Sequence, residues 1–212
     1  MLLFSNAKSG ISAMELMRNL SVSRKCAWRM LFLIRSSLTQ STRKLSGIVE
    51  TDQTYIGGKV CGKGMVRAIA AKSMVMAAIE RRGEVRVKVV ENRGKVATGR
   101  FVTNHIERNG TRLMTDEDQG YIDTDKLYET QMINHAKKEF VRGDVHTNTV
   151  ESFWSHVKRC LSGTYKSVSK KHLPSYLDAF AFHYNNAHND RLRFEILLQL
   201  VLLSGAKTRT GA

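Results

Sequence analysis

At 212 residues, 42% of them apolar, the chain is long enough for one medium domain with a real core plus a smaller module, and its 34 Lys and Arg against 19 Asp and Glu leave a net charge of +15. Such a basic balance favours a polyanionic partner, most often nucleic acid. Three distant cysteines, Cys26, Cys61 and Cys160, form no Cys-x-x-Cys pair, which excludes a disulfide framework or a zinc ribbon and fits a reducing cytoplasm, and the apolar run Ile196 to Leu203 is too short to cross a bilayer.

Residues 1–38 read as a small helical module. Ser12 is placed to cap a helix through Leu20, with Glu15 three residues later as in a capping box. Ser21-Val22-Ser23 breaks the pattern, and a basic helix follows from Arg24 to Ser37. Ala27, Met30, Leu31 and Ile34 share one face of it, with Arg24, Lys25, Arg29 and Arg35 elsewhere. Two helices joined this way suggest a helix-turn-helix in which Ser23, Arg24, Lys25 and Arg29 face a DNA duplex. The alternative is a plain helical hairpin with a solvated basic face. Residues 39–47 are polar and basic and serve as a linker.

From Ile48 the pattern changes to alternation. Ile48 to Ile56 is predicted as a strand, with Glu50, Asp52 and Thr54 on one face and Val49, Thr51, Gln53 and Tyr55 on the other. A Gly- and cation-rich loop is expected at 60–72. A hairpin of strands, Ser73 to Ile79 and Glu84 to Val90, turns at Arg82-Gly83. A helix is expected from Thr98 to Arg108, capped by Thr98, then a short strand from Arg112 to Asp116. A tyrosine-rich loop with a short helix occupies 119–134, and a fifth strand is expected from His135 to Val141. His146 to Tyr165 opens an amphipathic helix with Val150, Phe153, Trp154, Val157 and Leu161 at the spacing of one apolar face. Glu151 sits near its start, with Lys158 and Arg159 further along. A last helix is expected from His172 to Asn186, and a C-terminal helix or tail over 196–212.

Three strands as a meander, then a helix, a strand, a short helix, a strand and a long helix is the order of an RNase H-like α/β fold with a mixed five-stranded sheet, assigned to residues 48–195. Such folds carry carboxylates on the first strand, at the end of the fourth and on the late helix, where this sequence has Asp52, Asp116 and Glu151. Three hard oxygen donors from distant segments suit Mg²⁺ or Mn²⁺, and two such ions overcome the resistance of a phosphodiester to attack. Taken singly, each acid also has a plain structural reading: a surface strand residue, an acidic turn, or a carboxylate opposing a helix dipole. His146 and Asn148, just before Glu151, are candidates to orient a phosphate or water, and Asn148 equally to cap the helix. Lys158 and Arg159 are placed where DNA would pass.

Three stretches resemble one family. VETDQTYIGGK at 49–59, TDEDQGY at 115–121 and HTNTVESFWSHVKRCLSGTYKSVSKKHLPSYLDAFAFHYNN at 146–186 are similar to the ISXO-type DDE transposases of bacterial insertion sequences. GISAMELMRNLSVSRKCAWRM at 10–30 is similar to that family's helix-turn-helix. The resemblance covers about residues 9–195. It implies a metal-binding triad of Asp52, Asp116 and Glu151, two Mg²⁺ or Mn²⁺ ions, cleavage at the ends of a mobile element, and attack of the freed 3′-OH on target DNA. It also implies DNA and further copies of the chain as partners, in the bacterial cytoplasm and without a membrane. The sequence departs from the family at two points. A zinc ribbon that often precedes the helix-turn-helix has no ligand set here, which suggests a shortened N-terminus. Gln53 stands where the family commonly has Glu. A catalytically silent DNA-binding remnant that inhibits full-length copies, or a structure-selective nuclease of the same fold, are the rival expectations.

Overall fold

In a computed structural model the described residues are 1–57, 72–116, 121, 124, 127–133 and 145–209. Five strands form one sheet: β1 (Ile48–Ile56), β2 (Ser73–Glu80), β3 (Val85–Val90), β4 (Arg112–Asp116) and β5 (Glu129–Ile133), in the order β3-β2-β1-β4-β5. The first three run antiparallel as a meander, while β4 lies parallel to β1 and β5 parallel to β4. This is the mixed sheet expected of an RNase H-like fold. Among the described residues, no helix is long and apolar enough to cross a membrane.

The sheet is covered on both faces, and the pleat of β2 decides what each face meets. Val75, Ala77 and Ile79 point to one side, where they pack on Val150, Phe153, Trp154 and Val157 of α5 (Asn148–Gly163) and on Leu173, Leu177 and Phe180 of α6 (Leu173–Asn185). Met76 and Ala78 point to the other, against Phe101 and Val102 of α4 (Lys95–His105) together with Leu113, Tyr121 and Tyr128. A central strand buried on both faces has to be apolar throughout, which is why SMVMAAIE reads as a continuous run.

Three helices precede the sheet: α1 (Leu2–Asn6), α2 (Ala13–Leu20) and α3 (Arg24–Ser37). The hydroxyl of Ser12 accepts the Glu15 amide at 3.1 Å, capping α2 as expected, and that of Ser23 accepts the Cys26 amide at 3.2 Å and caps α3. Ser21 takes the left-handed conformation that ends α2. Phe4, Ile11, Leu16, Ala27, Leu31 and Ile34 form a core with Ala179 and Phe182 of α6 and Leu197 of α7 (Asp190–Arg209). Gln40, between α3 and β1, both donates to and accepts from the Val87 backbone and bonds Asp178. Leu45 is fully buried and bridges to Ile106. On α7, Leu197 is buried while Leu198, Leu202 and Leu203 are exposed.

The structure corrects several local expectations. The fifth strand is Glu129–Ile133, earlier than the expected 135–141, which lies outside the described residues. Among the described residues it pairs with β4 alone and lies at the sheet edge, where Glu, Thr and Gln are tolerated and the alternation of a half-buried strand is lost. Helix α4 starts at Lys95 with Gly94 as its cap residue, so Thr98 is a buried residue of the first turn rather than the cap. Arg35 is not on a solvated face. It is buried against α6 with its guanidinium 4.1 Å from the Tyr176 ring centre, whereas Met30, placed on the apolar face by spacing, is exposed. The loop expected at 60–72 lies outside the described residues except for Lys72.

Candidate active site

The site is assembled by strand register. On β1, Asp52 pairs with Ala77 and Glu50 with Ile79, so both acids share the sheet face that α5 and α6 cover. In the parallel pairing of β1 and β4, Ile48 lies opposite Arg112 and Glu50 opposite Met114. Continued by two residues, the same register sets Asp52 level with Asp116 at the end of β4, on the same face. Helix α5 lies over this face and carries Glu151 in its first turn.

Electrostatics reports the same neighbourhood. The Asp52 carboxyl is pushed up from 3.8 to about 6, first by burial and then by the charge of Asp116, with Glu151 adding to the effect. A hydrogen bond of 2.7 Å from the Gln53 amide to Oδ1 and the Lys158 ammonium oppose that rise. Glu151 is exposed, and its Oε1 accepts from the Thr147 hydroxyl at 2.8 Å. Hard carboxylate oxygens that raise one another's proton affinity suit a divalent cation by chemistry. Among the described residues, no three His, Cys, Asp or Glu side chains converge into a closed metal-holding cluster.

The other sequence candidates divide among three places. Lys158 belongs near Asp52 and lines a cleft of about 340 Å³ at the end of β1, with Tyr55, Gly57 and Lys166. Arg159 faces elsewhere, into a depression shared with Ser9 and Ser12, between α1 and α2, and with Glu15 of α2. Arg24, Lys25 and Arg29 are exposed along α3, and Ser23 caps that helix, all away from the carboxylates in sequence and on a separate element. Asn148 is exposed and does not supply the cap of α5. His146 lies against Glu50, its Nδ1 3.3 Å from Oε1.

Sequence reasoning missed the group that holds this helix end. The Glu50 side chain is fully buried and accepts from the Thr149 and Val150 amides at 2.7 and 3.1 Å, from the Thr149 hydroxyl at 2.9 Å and from Arg81 Nε at 2.7 Å. The Arg81 guanidinium also donates to the His146 carbonyl at 3.1 Å. The available signal was a carboxylate on the covered face of a helix-packed strand, since a buried charge requires a partner.

The ISXO2-like transposase domain matches residues 44–185. An uncharacterized protein in the transposable element ISH50 of Halobacterium salinarum is 29% identical over 187 residues, covering 80% of this chain and 63% of that protein, so the chain spans less than two thirds of its relative's length. Among solved structures, the simian T-cell lymphotropic virus intasome in complex with PP2A regulatory subunit B56 gamma has a chain that aligns with a TM-score of 0.38 at 8% identity, over 79% of this chain and 63% of that one.

Proposed function

The chain belongs to the ISXO2-like transposase domain family, and from that premise we propose that it is a DDE-type DNA transposase that cuts the ends of an insertion sequence and joins them to target DNA. The observation that carries this reading is the common face of β1, β4 and α5. There the charge of Asp52 is coupled to both Asp116 and Glu151.

In the reaction, water adds to the phosphorus at the element end as the bond to the 3′ oxygen breaks, leaving a free 3′-OH. That hydroxyl then attacks a target phosphodiester. One P–O bond forms as another breaks, so no external energy source is required. Asp52, Asp116 and Glu151 would hold Mg²⁺ or Mn²⁺, two ions in the full site, which when bound neutralise phosphate charge and make the attacking oxygen a better nucleophile. The protein's own residues prepare the place. Burial of Asp52 keeps water from screening its charge. Lys158 offers a cation to the phosphate backbone at the rim of the site. His146, held against Glu50, lies beside the first turn that carries Glu151. Exposed Arg24, Lys25 and Arg29, with Ser23, form the DNA-reading end of a helix-turn-helix built from α2 and α3. Such a transposase works as a homo-oligomer on DNA.

The test is incubation of the chain with Mn²⁺ and duplexes ending in the element's terminal repeats. Nicking at the repeat boundary that Asp52→Ala abolishes, with DNA binding retained, is the expected result. Binding without nicking would overturn the catalytic reading. Nicking of branched DNA regardless of sequence would replace it with a nuclease of the same fold.

A further inference from the structure

We propose that Glu50 is a positioning residue that sets Glu151 opposite Asp52, an inference that rests on the catalytic reading above. The N-terminus of a helix leaves its first amides without partners inside the helix, and a side chain of the preceding residue commonly satisfies one of them. In α5 that local solution is absent. Thr147 occupies the cap position, yet its hydroxyl donates to Glu151 and accepts no first-turn amide. The Thr149 and Val150 amides are instead taken by Glu50, which reaches across from the central strand.

This arrangement ties both sides of the site to one carboxylate. Glu50 and Asp52 are two residues apart on one strand face, about 7 Å along a rigid element. Val150, whose amide Glu50 holds, directly precedes Glu151. The Glu50 bonds therefore link the strand residue to the helix residue directly. Arg81 and His146 fix the rotamer of Glu50 itself, Arg81 through Oε1 and through the His146 carbonyl.

Adhesion of the helix does not require a charge at this point. Val150, Phe153, Trp154 and Val157 already bind α5 to the sheet through buried apolar contacts. A buried ion pair is a poor source of net stability, because desolvation of both charges offsets most of their attraction. What the pair supplies is direction: four donors on one carboxylate allow one placement of the helix end. Groups that orient ligating residues typically change metal affinity or activity by 10- to 100-fold when altered.

The experiment uses the full chain and the variants Glu50→Gln, Thr149→Val and Thr149→Ser, with cleavage assayed below the melting temperature of each. Three quantities are read: the rise in melting temperature on adding Mn²⁺, the Mn²⁺ midpoint for cleavage, and kcat and KM for a terminal-repeat duplex. Glu50→Gln should raise the Mn²⁺ midpoint about tenfold and lower kcat about 10- to 100-fold with KM for DNA unchanged. Thr149→Val, which removes only the hydroxyl donor, should move the same quantities less, and Thr149→Ser should restore them. If Glu50→Gln does not fold, the Thr149 pair decides the matter. Folded variants with the wild-type Mn²⁺ response and kcat overturn the positioning role while leaving the function intact. A wild-type chain with neither Mn²⁺ stabilisation nor cleavage overturns the catalytic reading and this proposal with it.

Discussion

Replacing Asp52 by Asn should make the cation-free protein more stable at neutral pH. Folding moves this carboxyl from 3.8 to about 6, chiefly by burial and by the Asp116 charge. A carboxyl whose folded value is raised stabilises the fold while it is protonated. That contribution is full below pH 3.8 and is lost as pH rises through about 6. The displacement corresponds to about 3 kcal/mol at pH 8. Asn keeps the shape, and its carbonyl oxygen can still accept the Gln53 amide that Oδ1 now accepts at 2.7 Å. The variant and the wild type should therefore melt close together near pH 4, diverge between about pH 4 and 6, and keep a nearly constant gap above that. At about 2–4 °C per kcal/mol for a chain of this length, the gap at pH 8 is about 6–12 °C. Thermal melts followed by circular dichroism in EDTA, from pH 4 to 8, measure it directly. Adding Mn²⁺ should raise the wild-type melting temperature and close the gap, because a ligand of the folded state stabilises it. A gap that does not grow with pH would refute the electrostatic account of the site.

Three other outcomes are expected. Gly10 has φ +77°, and a Cβ there would fall 1.8 Å from the Tyr165 hydroxyl oxygen, so Gly10→Ala should cost at least about 2 kcal/mol in chemical denaturation; adding Tyr165→Phe should recover only part, because Cζ remains 2.7 Å away. His183 is pushed down to about 4 by burial and by Arg193, so the stability that its neutral ring supplies is present above pH 6.5 and lost as pH falls through about 4; His183→Phe, which keeps the ring contacts to Phe4 and Phe182, should flatten the acid limb of a pH–stability curve. Changing Arg24, Lys25 and Arg29 together to Gln should weaken binding to any duplex and reduce the salt slope of the association constant by about 3, read by fluorescence anisotropy.

Features governed by neighbours in the chain were legible in the sequence. Ser12 caps its helix because a cap needs only the amide three residues on. The β1 alternation and the β2 apolar run were legible because period and burial are written into side-chain type. The shared face of Glu50 and Asp52 was legible from the parity of β1. What failed depends on distant partners. Arg35 was set apart from the apolar face because periodicity reads a charge as non-core, yet the Tyr176 ring that receives it lies on another helix. The strand at Glu129–Ile133 was read as part of a loop and short helix because an edge strand pairs through its backbone and leaves its side chains less constrained. Arg159 looked equivalent to Lys158 until the packing of the N-terminal helices separated their surroundings. Glu50 was visible as a neighbour of Asp52, but its role depends on amides 99 and 100 residues away.

The contrast between the two acids of β1 bears on function more than either does alone. Both lie on the covered face of the sheet, two residues apart, and both face desolvation. Glu50 is neutralised within the protein by a guanidinium at 2.7 Å and by the donors of a helix end. Asp52 receives one backbone amide and the field of Lys158, an exposed side chain, while two further carboxylates act against its ionisation. A fold selected for stability alone would treat the two alike, by pairing the second acid or replacing it with an apolar residue. Leaving Asp52 under-compensated concentrates negative potential at one point and lowers the cost of bringing in positive charge from outside. On this argument the fully satisfied acid supplies rigidity and the unsatisfied one supplies affinity, and the two-residue spacing on a single strand links them.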